Sequence, residues 1–126
     1  MLSLETGLAR VVVAATLLVA GIGAGQAAGA LAVGACGAYG FAYDYRQSEA
    51  ARTAALGKCN GDACKIVTGV KRGCAAFAID GRNVCGSHGF ASGARLSQAQ
   101  NSALQQCYRF GGKDCIIRAW VCDAKG

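Results

Sequence analysis

After its first thirty residues the chain alternates apolar and polar positions in short runs. Residues 38–45 (AYGFAYDY) carry an aromatic at every second position from Tyr39 to Tyr45, and residues 75–79 (AAFAI) alternate small with large side chains. Both read as strands with two unlike faces. The apolar runs KIVTGV (65–70) and IIRAWV (116–121) are short and β-rich, so they read as strands too. Between these runs the period changes. Ala51, Ala55 and Cys59 fall at i, i+4 and i+8 with Leu56 beside them, and Ala99, Ala103 and Cys107 repeat the stripe beside Leu104. That spacing predicts one buried face on each of two helices, and a stripe made of alanine predicts a close approach to a sheet. Ser97-Gln98-Ala99-Gln100 has the form of a capping box at the start of the second helix, and Ser48 is the matching cap of the first. Asp80-Gly81 reads as a two-residue hairpin turn into a strand over 84–91.

The pattern occurs twice. GFAYDYRQSEAARTAALGKC at 40–59 is echoed by GFASGARLSQAQNSALQQC at 89–107. Cys36, Gly40, Phe41 and Ser48 match Cys85, Gly89, Phe90 and Ser97 at an offset of 49. Ala51, Ala55, Leu56 and Cys59 match at an offset of 48, and Cys64 matches Cys115 at an offset of 51. An internal repeat has to be recognised before any fold is assigned. The expected fold is α+β: two tandem ββαβ repeats, about 30–74 and 75–122, related by a pseudo-twofold axis. They form one compact disulfide-stabilised domain over 28–126, because no proline or low-complexity linker separates them. Their strands either share a sheet or pack face to face.

The start of the chain has a different character. MLSLETGLAR ends in a positive charge, VVVAATLLVAGIGAG is an apolar run, and GQAAGA supplies small residues. This is the pattern of a cleaved export leader over residues 1–27, with cleavage after Ala27 or Ala30. The rival reading, a membrane anchor, needs roughly 18 to 20 apolar residues and finds fewer. Losing residues 1–27 takes away Glu5 and Arg10, so the net charge of +6 is unchanged.

Large apolar side chains are few in the remainder. Leu31, Phe41, Leu56, Phe77, Val84, Ile116 and Trp120 are among those expected in a thin core. All eight cysteines follow the leader: Cys36, Cys59, Cys64, Cys74, Cys85, Cys107, Cys115 and Cys122. An even count in a small exported domain reads as a disulfide framework. Sequence alone permits every pairing. The duplication favours Cys59–Cys64 and Cys107–Cys115 as equivalent corners, with Cys36–Cys85 and Cys74–Cys122 bridging the pseudo-twofold axis. A metal site is not expected, since C-x-x-C spacing is missing and His88 is the single histidine.

The charge is scattered, with no run of bases above two, so attraction to anionic surfaces is expected to be weak. Nucleic-acid binding is not expected without clustered bases and interleaved aromatics. Candidate chemistry is thin. His88 lies among glycines with Ser87 adjacent on the opposite face of a strand. Asp44 and Glu49 are the carboxylate pair one could nominate, yet Glu49 is better explained by a helix start. The glycine-rich pieces GACGAYG and GSHG lack the spacing of a phosphate or dinucleotide loop, and no cofactor is expected. Tyr39, Phe41, Tyr43 and Tyr45 would share one strand face. Phe41 is matched by Phe90 and reads as core, which leaves Tyr39, Tyr43 and Tyr45 as a possible binding patch.

GAYGFAYDY, a serine-led helix ending ALGKC, and DACKIV with a later cysteine together resemble the bacterial exported family called domain of unknown function 4189. The resemblance covers most of residues 30–122 and implies export and this fold. It offers no catalytic residues to carry over. Cys36 and Cys85 depart from the family's pattern, and Gly69 stands where relatives carry an aromatic, whereas the second copy keeps Trp120. The function expected is that of an exported, non-enzymatic binding module, periplasmic or extracellular, that engages an anionic or protein partner of the envelope. The alternative is a secreted inhibitor or effector acting through the loop 109–114 (RFGGKD). A small hydrolase ranks last.

Overall fold

The computed structural model describes residues 28–123, so the leader expected over 1–27 lies outside the described residues. The elements run β1 (Ala28–Val33), β2 (Tyr39–Tyr45), α1 (Ser48–Lys58), β3 (Lys65–Val70), β4 (Gly73–Asp80), β5 (His88–Gly93), α2 (Leu96–Arg109) and β6 (Cys115–Asp123). They form two three-stranded antiparallel sheets, ordered β2-β1-β3 and β5-β4-β6. The two sheets pack face to face, and each carries its helix on the outside.

Strand alternation explains these layers. In β1, Ala30 and Ala32 face α1, where they meet Ala42, Ala51 and Ala55. In β4, Cys74, Ala76 and Ala78 face α2, where they meet Ala99, Ala103 and Cys107. The intervening residues Leu31, Val33, Ala75, Phe77 and Ile79 point the other way and fill the space between the sheets with Val70, Ala119 and Val121. Each large side chain fully buried there contributes roughly 1.5–3 kcal/mol. Small residues toward the helix and large ones toward the other sheet follow from one period-two pattern.

The repeated glycine of the GF pair sets the helix distance. A methyl group on Gly40 would overlap the carbonyl oxygen of Ala55 and the backbone of Lys58 and Cys59. One on Gly89 would overlap the carbonyl oxygen of Ala103 and the backbone nitrogen of Cys107. Bare backbone at these two places lets each helix lie directly on its strand.

Four disulfides are formed: Cys36–Cys85, Cys59–Cys64, Cys74–Cys122 and Cys107–Cys115. Cys59–Cys64 and Cys107–Cys115 each tie the end of a helix to the strand that follows. Cys36–Cys85 joins the β1–β2 connection to the β4–β5 connection, and so joins the two sheets. Cys74–Cys122 does not bridge the two halves. The two residues stand opposite each other on β4 and β6, so the bond is internal to the second sheet. No cysteine is free among the described residues, which suits an oxidising compartment. Among these residues no helix is long and apolar enough to cross a membrane.

Several local expectations are corrected. Asp80-Gly81 does not make a two-residue hairpin: β5 begins only at His88, and the connection 81–87 instead carries Cys85 to its bond with Cys36. Asp80 turns the chain by accepting the Arg82 N–H at 3.0 Å. Neither helix is capped by its serine. Arg95 and Gln47 hold the cap positions without a side-chain bond, and Gln98 reaches back to the Ala94 N–H at 3.1 Å. Leu56, Val84, Ile116 and Trp120 are exposed rather than core. Tyr45 leaves the face of Tyr39 and Phe41 and packs with the alanine cluster under α1. The reason is a bulge. Ala30 pairs with Ala42 but Ala28 pairs with Tyr45, so one extra residue enters β2, with Asp44 in the left-handed region at φ 61°.

Candidate functional site

A groove of about 750 Å³ lies between β2 of one sheet and β6 of the other. Tyr39, Phe41 and Tyr43 line one side, and the run from Ile117 to Cys122 lines the other, with Gln100 of α2 at the margin. Both strands are sheet edges. The rings of Tyr39 and Phe41 stack in parallel with centroids 6.3 Å apart and lean on the central core. Tyr43 continues their row but stands 53% exposed, and Trp120 across the groove is 48% exposed. Trp120 is the single tryptophan of the chain.

Arg118 holds its place through a second bulge. Ala78 pairs with Ile117 but Phe77 pairs with Ala119, so Arg118 is the extra residue of β6. Bulges re-aim side chains. Here the Arg118 Nε donates to the carbonyl of Gly37 at 3.1 Å, and the guanidinium lies 5.5 Å from the centre of the Tyr39 ring. An exposed cation over an aromatic face gains about 0.5–1 kcal/mol. The result is a groove with aromatic walls, an apolar floor and one anchored cation. Such a surface can stack a planar or apolar group and attract an anionic one.

The patch expected from sequence is therefore divided. Tyr39 and Tyr43 line the groove, and Tyr45 does not. Sequence reasoning missed Arg118 and Gln100 and counted Trp120 as core. A tryptophan on a short edge strand was the available signal; the bulge at Arg118 left none.

Other candidates resolve plainly. His88 is exposed on β5 between two phenylalanines, edge-on to Phe77 at 6.2 Å and stacked on Phe90 at 6.5 Å. Glu49 sits in the first turn of α1, where its charge suits the helix start. Asp44 faces not Glu49 but Asp123, at the end of β6. Asp123 is fully buried, and neither of its oxygens has a hydrogen-bond partner among the described residues. Burial first, and the Asp44 carboxylate second, hold its carboxyl above the ordinary aspartate value. Asp80 moves in the opposite sense. The Arg82 N–H holds its carboxyl below the ordinary value, against burial, and the Lys113 N–H assists.

The loop 109–114 is held at several points. Cys107–Cys115 closes it, the Gly112 N–H donates to the Cys107 carbonyl at 3.0 Å, and the Ser87 hydroxyl donates to the Phe110 carbonyl at 2.7 Å. Its tip presents Phe110 at 64% exposure.

A family model described as domain of unknown function (DUF4189) matches residues 28–122. The chain belongs to this family. The match begins where β1 begins and ends one residue short of the end of β6, so the DUF4189 unit is the whole four-layer body. The NMR structure of Rv1813c from Mycobacterium tuberculosis is similar to this chain, with 26% sequence identity and a TM-score of 0.54, covering 76% of this chain and 75% of that one. No curated protein matches.

Proposed function

We propose that this DUF4189 chain is an exported, disulfide-stabilised binding module without catalytic activity, and that the β2–β6 groove is its ligand seat. One observation carries the reading. Tyr43 and Trp120, two large aromatic side chains, stand half out of the core on opposite sides of one groove, which Arg118, held against Gly37 and Tyr39, also lines. Exposed aromatics beside an anchored cation are costly to leave unpartnered and useful for binding. The ligand is an anionic or protein component of the envelope, and the net charge of +6 assists its approach. The leader pattern supports export. Fluorescence of Trp120 tests the seat: titration with a polyanionic envelope glycan should shift its emission, and added salt should weaken the response. Emission indifferent to envelope glycans and envelope proteins alike would remove the groove from consideration.

We further infer that the two sheet-and-helix units descend from one duplicated ββαβ ancestor and are related by a pseudo-twofold axis. Matched strand orders, matched glycines at 40 and 89 and matched bulges at Val67 and Arg118 support this.

A second reading, inhibition of a target protein through the loop 109–114, draws on Phe110, which is held out on a loop fixed at both ends. Phe110→Ala should abolish capture of a stoichiometric protein partner if this reading is right, and Trp120→Ala should leave capture intact.

A further inference from the structure

The Asp44–Asp123 pair has no assigned role, and its position is informative. Asp123 stands opposite Gly73 on β4, and Gly29 stands opposite Val70 on β3. Only Lys71 and Arg72 separate Val70 from Gly73, so this short crossover brings the end of β6 beside the start of β1. Asp44 sits in the bulge that faces Gly29, with its backbone turned left-handed. Two carboxyl groups thus converge at the first residues of β1. Arg46 follows β2, and Lys71 and Arg72 form the crossover, yet no described group bonds to Asp123. A buried carboxylate without a partner is expensive, and the expense calls for a cation.

We propose that Ala28 is the first residue of the mature chain and that its α-ammonium is the partner of the Asp44–Asp123 carboxyl pair. Hydrolysis of the Ala27–Ala28 amide by the export peptidase adds one water, leaving a carboxylate on Ala27 and an ammonium on Ala28. The other site allowed by the small-residue run, after Ala30, is incompatible with the fold. It would remove Ala28, Gly29 and Ala30, which are buried and paired to β2 and β3. Removal of the leader then does more than release the protein. It creates the charge that the corner between the two sheets lacks, so the mature fold is locked only after export. The electrostatics have a defined window. The ammonium contributes while protonated, so its stabilisation is complete below the ordinary α-amino value of about 7.7–8 and is lost as pH rises through its elevated folded value. Asp123 limits the window on the acid side, where protonation of its carboxyl, held above the ordinary value by burial, removes the negative charge.

This inference rests on the export reading, and the test separates the two. The full chain is expressed with residues 1–27, the exported product is purified, and its first residue is read by mass spectrometry. Ala28 is expected. A product that keeps residues 1–27 overturns the export reading; a processed product starting at Leu31 overturns the pairing. The processed protein is then acetylated at its α-amine. Acetylation should lower the melting temperature by several degrees at pH 6.5 and have little effect at pH 10. In Asp123→Asn, which leaves only Asp44 to face the ammonium, the acetylation effect should shrink. Equal melting of free and acetylated wild-type protein, or an undiminished effect in Asp123→Asn, contradicts the proposal.

Discussion

The β2–β6 edge and the β5–β3 edge occupy matching places in the two sheets, and they differ where function would act. At the first edge stand Tyr39, Phe41, Tyr43, Arg118 and Trp120. The positions that match them at the second are His88, Phe90, Ser92, Val67 and Gly69. Each sheet carries a bulge on the strand after its helix: β3 has its extra residue at Val67, and β6 has its own at Arg118. Val67 packs into the central core, whereas Arg118 turns out over Tyr39. Positions that set the fold, such as Gly40 and Gly89 under the helices, are the same in both units. Positions that line the groove differ in kind between the two edges. A single pair of edges therefore separates what the fold needs from what the surface offers.

The disulfides give the largest test of this comparison. Cys36–Cys85 and Cys74–Cys122 close separations of 49 and 48 residues, against 5 and 8 for Cys59–Cys64 and Cys107–Cys115. Chain entropy assigns about 4 kcal/mol to each long bond and about 2–3 kcal/mol to each short one. Urea unfolding of paired Cys→Ala variants should show that ranking, with matching losses for the two short corners. Unequal corners would mean that the two units are not equivalent.

Next in size are the glycines. Gly40→Ala and Gly89→Ala should each cost about 1–3 kcal/mol by pushing a helix off its strand, and by similar amounts. A smaller effect concerns Asp123 in a chain that still carries residues before Ala28. Its carboxyl is held above the unfolded value, so the folded state binds the proton more tightly. Stability should fall as pH rises from the unfolded value through the folded one, and Asp123→Asn should flatten that fall and stabilise the protein at neutral pH. In the processed chain the sign should reverse, because Asp123 then has a cation to hold.

The smallest stability changes belong to the edges themselves. A methyl group on Gly69 would meet only the Gly29 carbonyl oxygen, at an ordinary contact distance of 3.9 Å, so Gly69→Trp should alter stability by no more than about 0.5–1 kcal/mol. Trp120→Ala should cost little more while removing ligand binding. Binding that survives Trp120→Ala would erase the distinction between the two edges.

Much of the architecture was legible in the chain. Period-two alternation in β4 and the alanine stripes of both helices announce a sheet with a small-residue face for each helix. What the pattern could not carry was any single-residue insertion. The bulge at Asp44 sends Tyr45 to the helix side, and the bulge at Arg118 turns a scattered charge into the anchored cation of a groove. Neither leaves a mark in a binary pattern, because each depends on which residue pairs across the sheet. The Asp44–Asp123 pair was hidden for a similar reason: its members lie far apart in sequence and meet at a corner between two sheets. The expected serine caps failed because both helices begin one residue before or at the serine, so that Gln47 and Arg95, not Ser48 and Ser97, occupy the cap positions.

The most direct test is a chemical-shift map of the oxidised, isotope-labelled protein titrated with envelope glycan and with envelope protein extract. The groove account predicts that the Trp120 indole N–H, the Arg118 Nε–H and the backbone amide of Tyr43 move together and saturate, while the loop 109–114 stays still. Shifts confined to Phe110 and its loop, with the groove silent, would contradict it.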